Sequence, residues 1–341
     1  MSRADGWILA SIPMAMGLFC VAYGCYVFSS ASGAPYFIAG HVVAFLAAIC
    51  LALFCAAGTI IRQLRGARPG PVNLALPALA YVTAMGTFAW GLVLAGAQSD
   101  SPHYITGHIV CGLGLITACV ATVTTGATRS TLIPENSKSG SREHQARAFS
   151  PRVSLTLIAV PVACAATGFT WAGVLLADSD GGSAEHFIAG HVLIGLSLIC
   201  ASLVALVASI VRQVANVYGS RERTIWPWTV FALGLVNLVW GLILVVEASQ
   251  AYWVTPGWVM IGLSLIQFSI LSKVTLLALA WRSTSSLANL IARIPAWNAL
   301  ITLFVSAFLF QAAVSDPGAV IAARVLVGLA AISAAIWPPG Q

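Results

Sequence analysis

Tyr36-Phe37-Ile38-Ala39-Gly40-His41-Val42 runs into an unbroken apolar stretch over positions 43–49, and the pattern then returns along the chain. His103-Tyr104-Ile105-Thr106-Gly107-His108-Ile109 is a second copy and His186-Phe187-Ile188-Ala189-Gly190-His191-Val192 a third. Trp253-Val254-Thr255-Pro256-Gly257-Trp258-Val259 is a fourth, with Trp in the histidine slot, and Ile321-Ala322-Ala323-Arg324-Val325 is a fifth, with Arg there. The slot falls at 41, 108, 191, 258 and 324, so successive copies are 67, 83, 67 and 66 residues apart. Four positions downstream stand Phe45, Gly112, Gly195, Gly262 and Gly328, and eight positions downstream Ile49, Ile116, Ile199, Ile266 and Ile332. Self-similarity at a near-constant period marks one supersecondary unit used repeatedly.

The unit is a membrane one. The chain is 59% hydrophobic and 8% charged over 341 residues, where soluble domains carry about 25% charged residues. Apolar runs of about 20 residues recur, enough to cross a hydrocarbon core about 30 Å thick. They lack the period-2 alternation of a barrel, so the spans are helices. The first apolar run belongs to repeat one and is not read as a signal peptide. All eight cysteines lie inside apolar runs and read as reduced packing residues. The net charge of +6 concerns orientation rather than nucleic acid.

Each repeat holds two spans around a short loop. Helices are expected near 7–29, 37–61, 73–97, 104–127, 153–177, 187–212, 226–248, 255–281, 295–314 and 319–337. The corresponding repeats are 7–68, 73–129, 153–223, 226–293 and 295–337, with 128–152 as a polar cytoplasmic linker. The links between repeats carry Arg62, Arg65, Arg68, Arg129, Lys138, Arg142, Arg147, Arg152, Arg212, Arg221, Arg223, Arg282 and Arg293. The loops within repeats carry no Lys or Arg, but hold Asp100, Asp178, Asp180 and Glu185; Glu247 and Asp316 lie near helix ends. The positive-inside rule then places both termini and every link in the cytoplasm. Two spans per repeat means that all repeats enter the membrane in the same direction, unlike an inverted-repeat transporter. The expected fold is therefore an all-α polytopic membrane protein of ten transmembrane helices, arranged as five parallel two-helix hairpin repeats with pseudo-fivefold disposition about the membrane normal. One chain completes such a ring, so a monomer embedded in lipid is expected.

The slot residues are the candidate site. Ionisable groups inside spans are costly and usually face an interior. If the five faces meet on one axis, His41, His108, His191, Trp258 and Arg324 line an outer mouth. A close-packing collar of Gly112, Gly195, Gly262 and Gly328 follows. About 12 Å deeper come Ile49, Ile116, Ile199, Ile266 and Ile332 as an apolar constriction of the dewetting type. Imidazole titrates near pH 6.5, so acidification would place up to three imidazolium charges beside Arg324 and loosen the ring. Small residues on one helix face also serve close packing with no lumen at all, and Gly40, Gly107, Gly190 and Gly257 are explained by a tight entry after the loop. His103 and His186, with Asp178, Asp180 and Glu185, read as a solvated loop, metal binding being the alternative. Lys273 is an inner charge, or else snorkels to the interface. Trp7, Trp90, Trp171, Trp226, Trp228, Trp240, Trp253 and Trp281 read mostly as an aromatic belt.

The Gly-His repeats, the segment Ser272-Lys273-Val274-Thr275-Leu276-Leu277-Ala278-Leu279-Ala280-Trp281-Arg282 and the late stretch Arg324-Val325-Leu326-Val327-Gly328-Leu329 together resemble the bacterial inner-membrane family typified by YhiM, over nearly the whole chain. That resemblance implies a multi-pass protein of the inner (cytoplasmic) membrane with a role in acid stress, and it supplies no catalytic or binding residues. The hairpins also resemble the HdeD-like acid-resistance proteins.

Three functions compete. The first is a pH-responsive channel or pore-like conduit for protons, ions or a small solute. The second is a structural or regulatory membrane protein without transport. The third is a haem- or metal-binding protein that uses the slot histidines as ligands, although opposed helices are the usual arrangement for that. No cofactor and no metal are expected. The spans contain no Ser-His-Asp set, paired carboxylates, HExxH or phosphate loop, so an enzyme is not expected.

Overall fold

The computed structural model describes residues 3–64, 70–97, 101–130, 150–179, 183–215, 217–248, 250–279, 286–312 and 316–336. Most of the expected linker (131–149) lies outside the described residues, as do Arg65, Arg68, Asp100, Lys138, Arg142, Arg147, Asp180, Trp281 and Arg282.

Among the described residues the regular elements are all helices. They are α1 (Arg3–Ser30), α2 (Ala34–Leu64), α3 (Pro71–Ala95), α4 (Pro102–Ser130), α5 (Pro151–Asp178), α6 (Ala184–Val214), α7 (Ser220–Val246), α8 (Val254–Leu279), α9 (Ser286–Ala292), α10 (Ile294–Ala312) and α11 (Pro317–Ile336). Ten helical stretches are long and apolar enough to cross a membrane. Pro71, Pro102, Pro151 and Pro317 open four of the helices, where the missing N–H costs nothing and the fixed φ suits the first turn. Ser150 and Ser183 cap α5 and α6 by accepting from the backbone N–H groups of Val153 and His186. Helix α7 starts six residues before the apolar run at 226, because the Glu222 carboxylate reaches back to accept from the Gly219 N–H at 2.9 Å. The short α9 and a single 3₁₀ turn at Ala251–Trp253 have no signal in hydropathy.

Two classes of helix follow from burial. In α2, α4, α6, α8 and α11, between 44 and 83% of the apolar window is buried, against 28–33% in α1, α3, α5, α7 and the α9–α10 stretch. On the described spans, every exposed large apolar side chain except Ile60 sits on the second class, Leu18, Val82, Met85, Trp228 and Phe304 among them. An apolar side chain exposed on a span faces lipid, so the first class is inner and the second outer. Each outer helix pairs with the inner helix that follows it: α1 with α2, α3 with α4, α5 with α6, α7 with α8, and α10 with α11. The inner helices also pack in the order α2, α4, α6, α8, α11 and back to α2. Each inner helix further touches the outer helix of the next pair, and α11 touches α1.

Glycines set how close the pairs come. A Cβ on Gly24 would stand 2.7 Å from the Gly40 carbonyl oxygen, one on Gly91 2.9 Å from that of Gly107, and one on Gly241 2.8 Å from that of Gly257. Gly40, Gly107, Gly190 and Gly257 are thus helical residues pressed against the outer helix. The tight entry after a loop does not apply to them, because the helices begin several residues earlier and these glycines lack positive φ.

Candidate functional site

Each inner helix presents one apolar face to the common axis. Ile38 and Val42, Ile105 and Ile109, Ile188 and Val192, Thr255 and Val259, and Ile321 and Val325 enclose a void of about 20 Å³ at the loop end of the axis. That is room for about one water. Next come Leu46, Leu113, Leu196, Leu263 and Leu329, each no more than 2% exposed. Below this leucine layer the axis widens into a cavity of about 700 Å³, and the leucines border its closed end. Ile49, Ile116, Ile199, Ile266 and Ile332 line that cavity together, one from each inner helix. Its wall continues to Ile60, Ala127, Val214, Leu279 and Ile336, in the last turns of the five inner helices.

The slot side chains stand beside this axis, not on it. A stripe drawn through the slot and the positions four and eight residues on drifts by about 40° per step, because four residues overshoot a turn. The slot and the isoleucine are thus about 80° apart around the helix. The axis takes the isoleucine, and the slot faces a neighbouring helix. His41, His108 and His191 each donate Nδ1–H to the carbonyl four residues earlier, that of Phe37 (2.9 Å), Tyr104 (2.8 Å) and Phe187 (2.9 Å). A carbonyl can only accept, so neutral imidazole keeps its acceptor at Nε2. The rings lie between aromatics. His41 is 5.1 Å from Phe28, His108 5.3 Å from Trp171, and His191 6.1 Å from Trp240. Trp258 is half-buried against the core. Arg324 repeats the histidine bond, donating to the Val320 carbonyl at 3.0 Å, with its guanidinium over Tyr36 (4.7 Å) and Phe310 (5.3 Å).

The residues just before the slot join successive inner helices. Phe37 meets His103 at 4.3 Å, Phe187 stacks on Trp253 at 5.0 Å, and the Tyr104 hydroxyl bonds His186 Nε2 at 3.0 Å. His186 Nδ1 also bonds Ser183 Oγ at 2.6 Å. His103 and His186 therefore belong to the seams between pairs. Trp171 and Trp253, which sequence places in a lipid belt, pack there as well, while Trp240, 44% exposed, faces lipid as expected and meets His191. Among the described residues no group of three His, Cys, Asp or Glu is placed to hold a metal. All eight cysteines are free thiols, and seven of them are buried.

The collar glycines are seats for leucines. A Cβ on Gly112 would stand 2.5 Å from Leu196 Cδ1, on Gly195 2.8 Å from Leu263 Cδ1, on Gly262 2.8 Å from Leu329 Cδ1, and on Gly328 2.5 Å from Leu46 Cδ1. Collar and leucine layer are one device, in which each glycine receives the leucine of the next inner helix. Phe45 takes the place of the glycine in α2. The leucine layer escapes a reading centred on polar residues, although its signal is in the sequence: Leu stands five residues after the slot in all five copies. A buried amide pair also escapes it. Asn237 Nδ2 donates to Gln267 Oε1 (2.8 Å), and Gln267 Nε2 to Ser202 Oγ (3.1 Å), tying α7, α8 and α6 together.

The family described as "Protein of unknown function (DUF2776)" matches residues 1–338. The chain belongs to that family. It is also 42% identical, over 330 residues, to the inner membrane protein YhiM of Escherichia coli (strain K12), covering 96% of this chain and 93% of the relative. No solved structure matches the chain. With ten spans and a relative of that name, this member of the family is a multi-pass inner-membrane protein.

Proposed function

We propose that the protein is a pH-responsive conduit held shut by its leucine layer, with protons, ions or a small solute as the permeating species. The observation that carries this reading is the five-leucine closure between a water-sized void on the loop side and a 700 Å³ cavity on the other. Five leucines meeting on one axis are an apolar constriction of the kind that gates by dewetting. The proposal treats the pairs as five parallel hairpin repeats around a pseudo-fivefold axis along the membrane normal. The cyclic packing of the inner helices supports it. One chain supplies all five inner helices, which supports a monomer. The basic links orient termini and cavity towards the cytoplasm, and no catalytic step is involved.

The histidines act from between helices in this proposal, His108 and His191 at the seams between pairs and His41 inside its own pair. His108 and His191 are 4% and 6% exposed. His108 faces Tyr104, Trp171 and, across Tyr104, His186; His191 faces Phe187 and Trp240; His41 faces Phe28 and Phe37, with His103 beyond. A charge added inside such a seam loses its hydration, and opening the seam to water relieves the cost. Spreading the seams withdraws the leucines from one another. An acid-stress role follows from the likeness to the YhiM family. Flux into proteoliposomes at pH 5 and pH 7.5 tests the reading. Wild type should conduct at pH 5, Leu196→Ser/Leu263→Ser at both pH values, and His41→Ala/His108→Ala/His191→Ala at neither. A folded leucine variant that stays tight at both pH values overturns the conduit and favours a structural or regulatory role.

A further inference from the structure

The 700 Å³ cavity falls within the range of small-molecule sites, but its wall is almost wholly Leu, Ile, Val and Ala. Three polar residues interrupt it, namely Lys273 of α8, Gln213 of α6 and Asn289 of α9. Gln213 and Asn289 stand on the two helices, α6 and α9, that pack against α8, and Gln213 lies about 10 Å nearer the basic end than Lys273 at 1.5 Å per residue. Lys273 has no ion-pair or hydrogen-bond partner among the described residues, and Gln213 Oε1 is buried without one. A cation on an alkyl wall is costly unless something neutralises it. Lys273 stands fifteen residues after its slot, where the other inner helices carry Ala56, Val123 and Leu206 and α11 has already ended. A charge ring that selects ions would repeat around the axis; a single cation on one side suits a ligand with one head and one tail.

We propose that this cavity binds a single-chain carboxylate amphiphile, its alkyl tail against the leucines and isoleucines and its carboxylate on Lys273. From Leu263 to Lys273 the wall is about 15 Å deep at 1.5 Å per residue, which suits a medium-length alkyl chain. The tail removes apolar wall from water, and the head gives the lysine its counter-charge and a charge-assisted hydrogen bond. Dicarboxylates and inorganic anions lack the tail, and alkyl amines would repel Lys273.

The test is binding of labelled dodecanoate to the full chain in phosphatidylcholine nanodiscs, with empty nanodiscs subtracted and dodecanol and dodecylamine as competitors. Saturable binding is expected, with dodecanol competing at least tenfold less well and dodecylamine not at all. Lys273→Gln should weaken dodecanoate about ten- to hundredfold, the scale of a hydrogen bond to a charged group, while leaving dodecanol unchanged. Lys273→Arg should restore most of the loss. Val120→Trp projects an indole into the path of the tail and should abolish both, with its thermal melt reporting that it is folded. Equal binding of acid and alcohol, or an unchanged Lys273→Gln, overturns the head assignment. No saturable binding, or binding that survives in folded Val120→Trp, overturns the site. If phosphatidylglycerol in the nanodisc displaces dodecanoate in a Lys273-dependent way, the ligand is an anionic lipid and the single-chain assignment fails. Binding is read without flux, so its outcome and that of the conduit experiment are separate.

Discussion

The loop half and the basic half of the bundle are built from the same five inner helices, yet one half is closed and the other hollow. In the loop half, Gly40, Gly107, Gly190 and Gly257 bring inner and outer helices together, and Gly112, Gly195, Gly262 and Gly328 admit the leucines of the next helix. In the basic half the inner helices keep only Gly58 and Gly126, where an added Cβ would meet nothing nearer than 3.6 and 3.9 Å. Where glycines are dense, backbones approach and the axis fills with side chains. Where Leu, Ile and Val replace them, the helices stay apart and the space between becomes the 700 Å³ cavity. Without a hydrophobic drive between helices in lipid, the distribution of small residues decides which end of a bundle closes.

The largest effect should come from placing a methyl where the difference is greatest. Gly107→Ala drives a Cβ into the backbone of Ala95 and Leu94, which cannot rotate away. A loss of about 3 kcal/mol or more is expected, at the upper end of overpacking costs, read as a fall in the thermal melt in nanodiscs. Gly126→Ala makes the same chemical change in the hollow half. It should be neutral, or stabilising by up to about 1 kcal/mol from helix propensity. Equal losses at the two sites would remove the account of why one half closes. Next in size is the leucine layer. Leu263→Ala removes a side chain 1% exposed from a packed layer and should cost about 2–5 kcal/mol. Ile270→Ala, on the wall of the existing cavity, should fall at or below the bottom of that range, since the atoms it loses already border empty space. A smaller effect is expected from Gln267→Leu, which breaks the bonds to Asn237 and Ser202. Hydrogen bonds between spans contribute about 0.6–2 kcal/mol, and the stranded Asn237 amide adds to that.

Much of this was legible in the chain itself. Period and hydropathy specify ten spans, most of their ends to within a few residues and the start of α7 to within six. The collar positions, read as close packing, are occupied by close packing. The histidines are harder to place, because facing is set at 100° per residue and a stripe guessed from polarity crosses two faces. His41, His108 and His191 draw attention, while the residue one step round from the collar, Leu46 or Leu263, looks like any other apolar side chain. The hollow half was not legible. Its width depends on what neighbouring helices lack and on the short α9, which has no hydropathy signal of its own. That Lys273 lines this cavity follows from the same packing.

The smallest effect sharpens the comparison at the place where the chain's last inner helix meets its first. Between α2 and α4, α4 and α6, and α6 and the 3₁₀ turn that leads into α8, the seams are ring against ring, as at Phe37–His103, Tyr104–His186 and Phe187–Trp253. Between α11 and α2 the guanidinium of Arg324 lies 4.7 Å from the Tyr36 centroid. A cation over an aromatic face contributes about 0.5–1 kcal/mol at an exposed site and more when desolvated. Because Arg324 also bonds Val320 and covers Phe310, a single Arg324→Gln change mixes three losses. A double-mutant cycle with Tyr36→Leu isolates the seam. A coupling of about 0.5–1 kcal/mol in the thermal melt would mean that the fifth seam is held by a charge on a ring, a contact kept at any pH because guanidinium does not titrate. In the conduit proposal, the contacts made by the three slot histidines would then be the ones free to respond to acid. Zero coupling would leave Arg324 as a packing residue, and the closing seam would rest on contacts between α11, α1 and α2 alone.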